Sequence, residues 1–286
     1  MTARQPSRSR RSLAIAATLI GTVSLAIGAH AALNKRALDP VKPVAAERGV
    51  ETGKASTKLA LVIGNGHYPD ADEPLSQPIN DARALDEALR RDGFDVDVIE
   101  DANKDDMARA IARLQAKIKP DAVVMLFYGG YAIQAGRESY MIPVDAKIWK
   151  ERDVRREGTS VEQVLDMMKS QGARAKLVVL DASRRNPYER RFRAFSHGLA
   201  PINAPANALI LSSATPGKVV DDSTGQNSVL IAELLNNLDG KSAGAEAVFN
   251  KTRVAVSRAS EGEQVPSVSS SLLEDVRFGA EPDAGT

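Results

Sequence analysis

The chain predicts an α/β fold: a mainly parallel sheet with helices on both faces. Three observations predict it. From Lys58 onward, short apolar runs alternate with segments of helical period. The central runs are apolar almost throughout, which marks strands buried on both faces. Glycine or proline closes several of these segments. At 286 residues there is room for one large domain of this kind plus extensions.

The elements follow in order. Leu59 to Ile63 is a short apolar run ended by Gly64-Asn65-Gly66, as for a buried strand. Ile79, Ala82, Leu85 and Leu89 recur at helical spacing from near Gln77, and Asp92-Gly93 stops that helix. Val96 and Val98 alternate with Asp95 and Asp97, giving a half-exposed strand. Met107, Ile111, Leu114 and Ile118 share one helical face, closed by Pro120. Ala122 to Tyr128 reads as a central strand. Thr159-x-x-Glu162 and Ser160-x-x-Gln163 are overlapping capping boxes for a helix burying Val161, Val164, Leu165 and Met168. Leu177 to Leu180 and Ala208 to Leu211 are two further strands. Leu230, Leu234 and Leu238 mark a helix, Ala245 to Arg258 another, and Gln264 to Ser269 a final edge strand.

Residues outside this pattern read as extensions. Arg4, Arg8, Arg10 and Arg11 precede the uncharged stretch Leu13 to Ala29, and Ala29-His30-Ala31 fits a small-x-small cleavage site. Residues 1–32 are therefore expected to be a signal peptide or signal anchor. Export follows the Sec route or, given Ser9-Arg10-Arg11-Ser12-Leu13, the twin-arginine route. The expected location is periplasmic or exported, with residues 13–29 as the inner-membrane anchor in the uncleaved version. Residues 33–57, with Pro40 and Pro43 and no sustained period, read as a flexible linker. Residues 58–279 are the domain, and 280–286 a disordered tail.

Composition excludes several functions. With 38 basic and 37 acidic residues, no overall field favours nucleic acid or an anionic surface. Arg152, Arg155, Arg156 and the run Arg184 to Arg193 read as solvated faces or loops, with an anion site as the alternative. The absence of cysteine removes disulfides, thiolate metal sites and thiol catalysis. His30, His67 and His197 lack metal-ligand spacing, and nothing implies a cofactor. Gly64-Asn65-Gly66 invites a dinucleotide reading, but Pro69 stands at the third glycine and a tight turn suffices.

In open α/β sheets function collects beyond the carboxyl ends of the strands. Here those loops are Gly64 to Pro78, Tyr128 to Gly136, Asp181 to Gly198 and Ser212 to Asn227. Two of them carry a constellation. Lys176-Leu-Val-Val-Leu180 runs into Asp181-Ala-Ser-Arg-Arg-Asn-Pro187. Val123-Val-Met-Leu-Phe-Tyr-Gly-Gly-Tyr-Ala132 is the second half. With Leu61 to Asn65, Asn80 to Arg83, Tyr140 to Asp145, Gly198 to Pro201 and Ser213 to Gly217, these segments resemble caspase-family peptidases. Bacterial metacaspase-like members look most similar, and the resemblance spans about Lys58 to Phe278.

That resemblance implies a three-layer caspase-like sandwich and cleavage after arginine or lysine by a cysteine–histidine dyad. Ser183 stands at the cysteine and Tyr131 at the histidine. Ala132 replaces the glycine whose amide, with that of residue 183, holds the oxyanion. Asp81 and Asp181 match the acids of a pocket for a basic side chain. In the alternative reading of these acids, Asp81 caps the first helix and Asp181 bonds loop amides near Arg184 to Pro187.

The departures bear on chemistry. A serine hydroxyl attacks poorly unless a base takes its proton. Tyrosine ionises near pH 10, so it is a poor base at neutrality. Alanine resists the backbone angles that a glycine beside a reacting group often adopts. The expectation is a pseudopeptidase that binds a peptide or protein partner through the vestigial cleft. Two alternatives stand beside it: an endopeptidase using Ser183 with His67 or His197, and a structural scaffold.

Overall fold

The computed structural model describes residues 58–69, 74–188, 198–220, 225–238 and 243–279. The expected signal segment, the linker, His197 and the tail lie outside the described residues. Strands β1 (Lys58–Gly64), β2 (Asp95–Glu100), β3 (Val123–Gly129), β7 (Ala175–Asp181) and β8 (Ala208–Ser212) run parallel. Strand β9 (Ser267–Ser270) joins antiparallel, giving the order β2-β1-β3-β7-β8-β9.

The two-residue period of the strands divides the core. Val124, Leu126 and Tyr128 of β3 face one side, with Met107 and Leu114 of α2 (Lys104–Lys117) and Leu165 of α4 (Val161–Ser170). Val123, Met125 and Phe127 face the other. There they meet Leu85 and Leu89 of α1 (Pro78–Arg91), Leu234 of α5 (Val229–Leu238) and Phe249 of α6 (Ala245–Ala259). Each large apolar side chain buried in this way contributes about 1.5–3 kcal/mol. The sheet is thus covered on both faces, the caspase-like layering expected. Among the described residues no helix is long and apolar enough to cross a membrane.

Local signals fix the helix ends. Asn103 caps α2, accepting the Asp106 amide at 2.9 Å. Ser160 accepts the Gln163 amide at 3.2 Å and starts α4, the second of the two boxes in the sequence. Gly93 follows α1 at φ +83°, a left-handed angle that favours glycine.

A second sheet was not expected. Strands β4 (Ala132–Ala135), β5 (Glu138–Met141) and β6 (Thr159–Ser160) form a small antiparallel sheet. Its strands are two to four residues long, too short for an alternating pattern to register. Helix α3 (Glu151–Glu157) was also missed. Val154 is its only buried apolar residue, so no helical period exists to read, while Arg152, Arg155 and Arg156 are exposed.

Candidate functional site

Register places the expected site. Gly64 pairs with Gly129, and Gly129 with Asp181, so β1, β3 and β7 end on one edge. The Gly130 amide crosses to the Asp181 carbonyl at 3.3 Å. Tyr131 and Ser183 each lie two residues past these paired ends, so their loops leave neighbouring strands at the same edge.

Ser183 is only 1% exposed. Its amide, an oxyanion donor by resemblance, donates to Ser213 Oγ at 3.3 Å. Its carbonyl accepts the Val220 amide at 2.7 Å, so Val220 sits over residue 183. Among the described residues its hydroxyl makes no hydrogen bond. No base among the described residues stands in hydrogen-bond contact with it, and a serine attacks poorly without one.

Tyr131 is half-buried, and its ring meets that of Tyr68 edge-on with centroids 4.8 Å apart. Its amide donates to Tyr68 Oη at 3.0 Å, and its carbonyl lies 2.7 Å from Tyr128 Oη. The two phenol oxygens are 3.1 Å apart, and both approach the Ile142 carbonyl, at 3.1 and 2.9 Å. Tyr128 Oη also accepts the Ile142 amide at 3.1 Å. Burial pushes both phenols above the ordinary tyrosine range, and they stay neutral. The position expected to hold a base thus rests on a neutral network that ties three chain segments together.

Gly130 reaches φ +151°, and a Cβ there would meet Tyr68 Oη at 2.6 Å. Ala132 differs from expectation. It starts β4 opposite Met141 and is absent from the residues with positive φ. Extended backbone suits alanine, so the strain argued from the missing glycine does not arise.

Asp81 and Asp181 are 0% and 4% exposed. Asp81 lies in the first turn of α1, held against β1 because a Cβ at Gly64 would meet the Pro78 carbonyl at 2.4 Å. Its Oδ1 accepts Asn227 Nδ2 at 2.8 Å and the Ser228 amide at 3.0 Å. It therefore caps the residues leading into α5, not its own helix as the alternative reading had it. Among the described residues Asp81 Oδ2 has no partner, and neither has Asp181 Oδ2. Nor does Asp181 bond the amides after it, which corrects the alternative offered for that residue. Burial, then the charge of Asp181, pushes the Asp81 carboxyl up to about 7, against the pull of Asn227 and Ser228. Among the described residues no cation lies within ion-pair distance of either acid.

The cleft beside Asp181 is small. Gln77, Arg184, Val220 and Gln264 help line a cavity of about 10 Å³, room for about one water. A larger cavity of about 240 Å³ lies between the Leu199–Asn203 loop and β8–β9, but no titratable side chain lines it. The chemistry therefore points to the smaller one.

His67, one of the two alternative bases, is 70% exposed in its side chain. Its Nδ1 lies 2.5 Å from Asp101 Oδ2, and Asp101 Oδ1 accepts the Gly66 and His67 amides at 2.9 Å each. Burial raises Asp101, but these bonds outweigh it and hold the carboxyl below the usual range. No hydrogen bond links His67 to Ser183, and β3 lies between their strands.

Sequence reasoning did not single out Tyr68, and it gave no side-chain role to Tyr128, Asn65 or Ser213, which lie in the motif segments named above. Asn65 is fully buried, accepting the Ala102 amide at 2.8 Å and donating to the Ile142 carbonyl at 3.3 Å. Asn227-Ser228 ahead of an apolar-periodic helix was a readable N-cap signal. Ser228 Oγ does accept the Ile231 amide, at 3.2 Å. Nothing local marks the two tyrosines, which meet only through long-range folding.

Comparison with known proteins agrees with this architecture. The family model for the caspase domain matches residues 57–277. The chain belongs to the caspase-domain family. Among curated proteins it is similar to human mucosa-associated lymphoid tissue lymphoma translocation protein 1, 28% identical over 145 residues. The mouse homolog is 29% identical over 143 residues. These matches cover 50% and 49% of this chain but only 17% of each relative. The protein is thus a caspase-like, peptidase-family domain.

Proposed function

We propose that this caspase-like domain holds a basic side chain of a peptide or protein partner and does not cleave it. The observation that carries the reading is the carboxylate pair: two buried acids, each with an oxygen lacking a partner. Leaving one such group unsatisfied typically costs 1–3 kcal/mol. An arriving guanidinium or ammonium would satisfy both oxygens and relieve the repulsion that lifts Asp81. Support for the absence of cleavage comes from the buried Ser183, its committed amide and the neutral phenols beneath Tyr131.

Entry of a side chain requires a cleft larger than one water, so the Val220–Ser183 hydrogen bond must open. The N-terminal sequence suggests that the domain works in an exported compartment, free or tethered. One observation favours an endopeptidase: the Asp101 carboxylate orients His67 as a catalytic base is oriented.

The test is calorimetric titration of the full chain with an arginyl tetrapeptide amide, with Asp181→Asn alongside. Saturable binding that the substitution weakens at least tenfold supports the reading. No binding to either protein leaves the small cleft as structural scaffold and overturns it.

A further inference from the structure

The loop between β5 and α3 carries the chain's single tryptophan. Trp149 is 59% exposed, while its neighbour Ile148 is fully buried. The loop is held firmly: Asp153 Oδ2 accepts the Trp149 amide at 3.1 Å and the Lys150 amide at 3.0 Å. Val154, also fully buried, roots the helix that follows. An indole is thus presented outward on fixed backbone, which lowers the ordering cost of docking.

The charges around it are unbalanced. Residues 147–157 carry five basic side chains and three acidic ones. Arg155 pairs with Glu151 at 3.3 Å, and Arg156 with Asp153 and Glu157 at 2.9 and 2.8 Å. All three acids are then committed. Lys147, Lys150 and Arg152 are exposed and form no ion pair among the described residues, although the charge of Arg152 also helps to hold the Asp153 carboxyl low. Elsewhere on the surface Arg83, Arg113 and Lys117 are matched with Glu100, Asp97 and Asp95.

We propose that this tip docks on an anionic phospholipid surface. Trp149 enters the headgroup layer, and Lys147, Lys150 and Arg152 face the phosphates. An amphipathic ring flanked by long cationic stems suits the water–lipid boundary. Protein interfaces, by contrast, favour tryptophan but are depleted in lysine. None of these residues lines the carboxylate cleft, and the proposal does not rest on the reading given to it.

The single tryptophan makes the test specific to position, because its emission reports residue 149 whatever the N-terminal segment does. The full chain is titrated with vesicles of phosphatidylglycerol and phosphatidylcholine, and with phosphatidylcholine alone. The expected result is a shift to shorter wavelength with anionic vesicles only, reversed by salt. At about fivefold per cation, Lys147→Gln, Lys150→Gln and Arg152→Gln together should weaken that response about a hundredfold. Lys119→Gln, an exposed change elsewhere, should leave it unaltered, and Trp149→Ala should weaken co-sedimentation with anionic vesicles. No emission shift, or a shift that the triple variant retains, overturns the proposal. So does a shift with soluble polyglutamate but not with vesicles, which assigns the tip to an acidic protein.

Discussion

Two regions at the same sheet edge are built in opposite ways. Around residues 131 and 183, the backbone is paired and the phenols are neutral: Tyr68, Tyr128 and Ser213 take up the amides and carbonyls of that neighbourhood. Around Asp81 and Asp181, two buried carboxyl groups keep oxygens without partners. The first region is organised as fold. The second retains a cost that only a ligand or a proton can relieve, and that contrast motivates assigning binding to one and not catalysis to the other.

The contrast can be broken first at the phenols. Tyr128→Phe removes the acceptor of the Ile142 amide and the one proton offered to the neighbouring Tyr131 and Ile142 carbonyls, and should destabilise the protein by about 2–3 kcal/mol in urea unfolding. A loss below about 0.5 kcal/mol would show that this network does not hold the edge together.

The acid pair should behave in the opposite sense. A carboxyl raised in the folded state binds its proton more tightly there than when unfolded. Stability from Asp81 is therefore greatest near pH 4 and falls as pH rises toward about 7. Asp81→Asn keeps an oxygen for Asn227 and Ser228 but removes the charge. It should stabilise the protein by about 1–3 kcal/mol at pH 8, with the gain vanishing near pH 4. Unfolding midpoints across that range check it, and a gain independent of pH would contradict the assignment.

Smaller effects sharpen the picture. Ser183→Ala removes a hydroxyl that makes no hydrogen bond among the described residues and should change stability by less than about 0.5 kcal/mol. His67→Ala removes an exposed hydrogen bond to Asp101 and should cost no more than about 1 kcal/mol in urea unfolding.

Much of the fold was legible because buried parallel strands announce themselves as apolar runs and their helices as spaced leucines. Val123 to Tyr128 and Leu230 to Leu238 are of that kind. The hairpin at Ala132–Met141 was not legible, since its strands are shorter than one readable alternation. The site divided along the same line. Residues 131, 132, 183, 81 and 181 came from motif correspondence, and the structure brings Asp81 and Asp181 together and sets 131 and 183 on adjacent loops. Partners that decide their chemistry came from far away: Tyr68 lies 63 residues from Tyr131, and Ser228 lies 147 from Asp81. No local pattern records such distances. Ala132 shows the converse error, where a residue type suggested strain that extended backbone does not impose.

The central claim is binding without cleavage. Its most direct test is incubation of the full chain, beside Ser183→Ala, with internally quenched peptides containing arginine and lysine, read by fluorescence and mass spectrometry. The account expects no product above the Ser183→Ala background, under conditions where the arginyl tetrapeptide amide binds. Product that disappears with Ser183→Ala would contradict it.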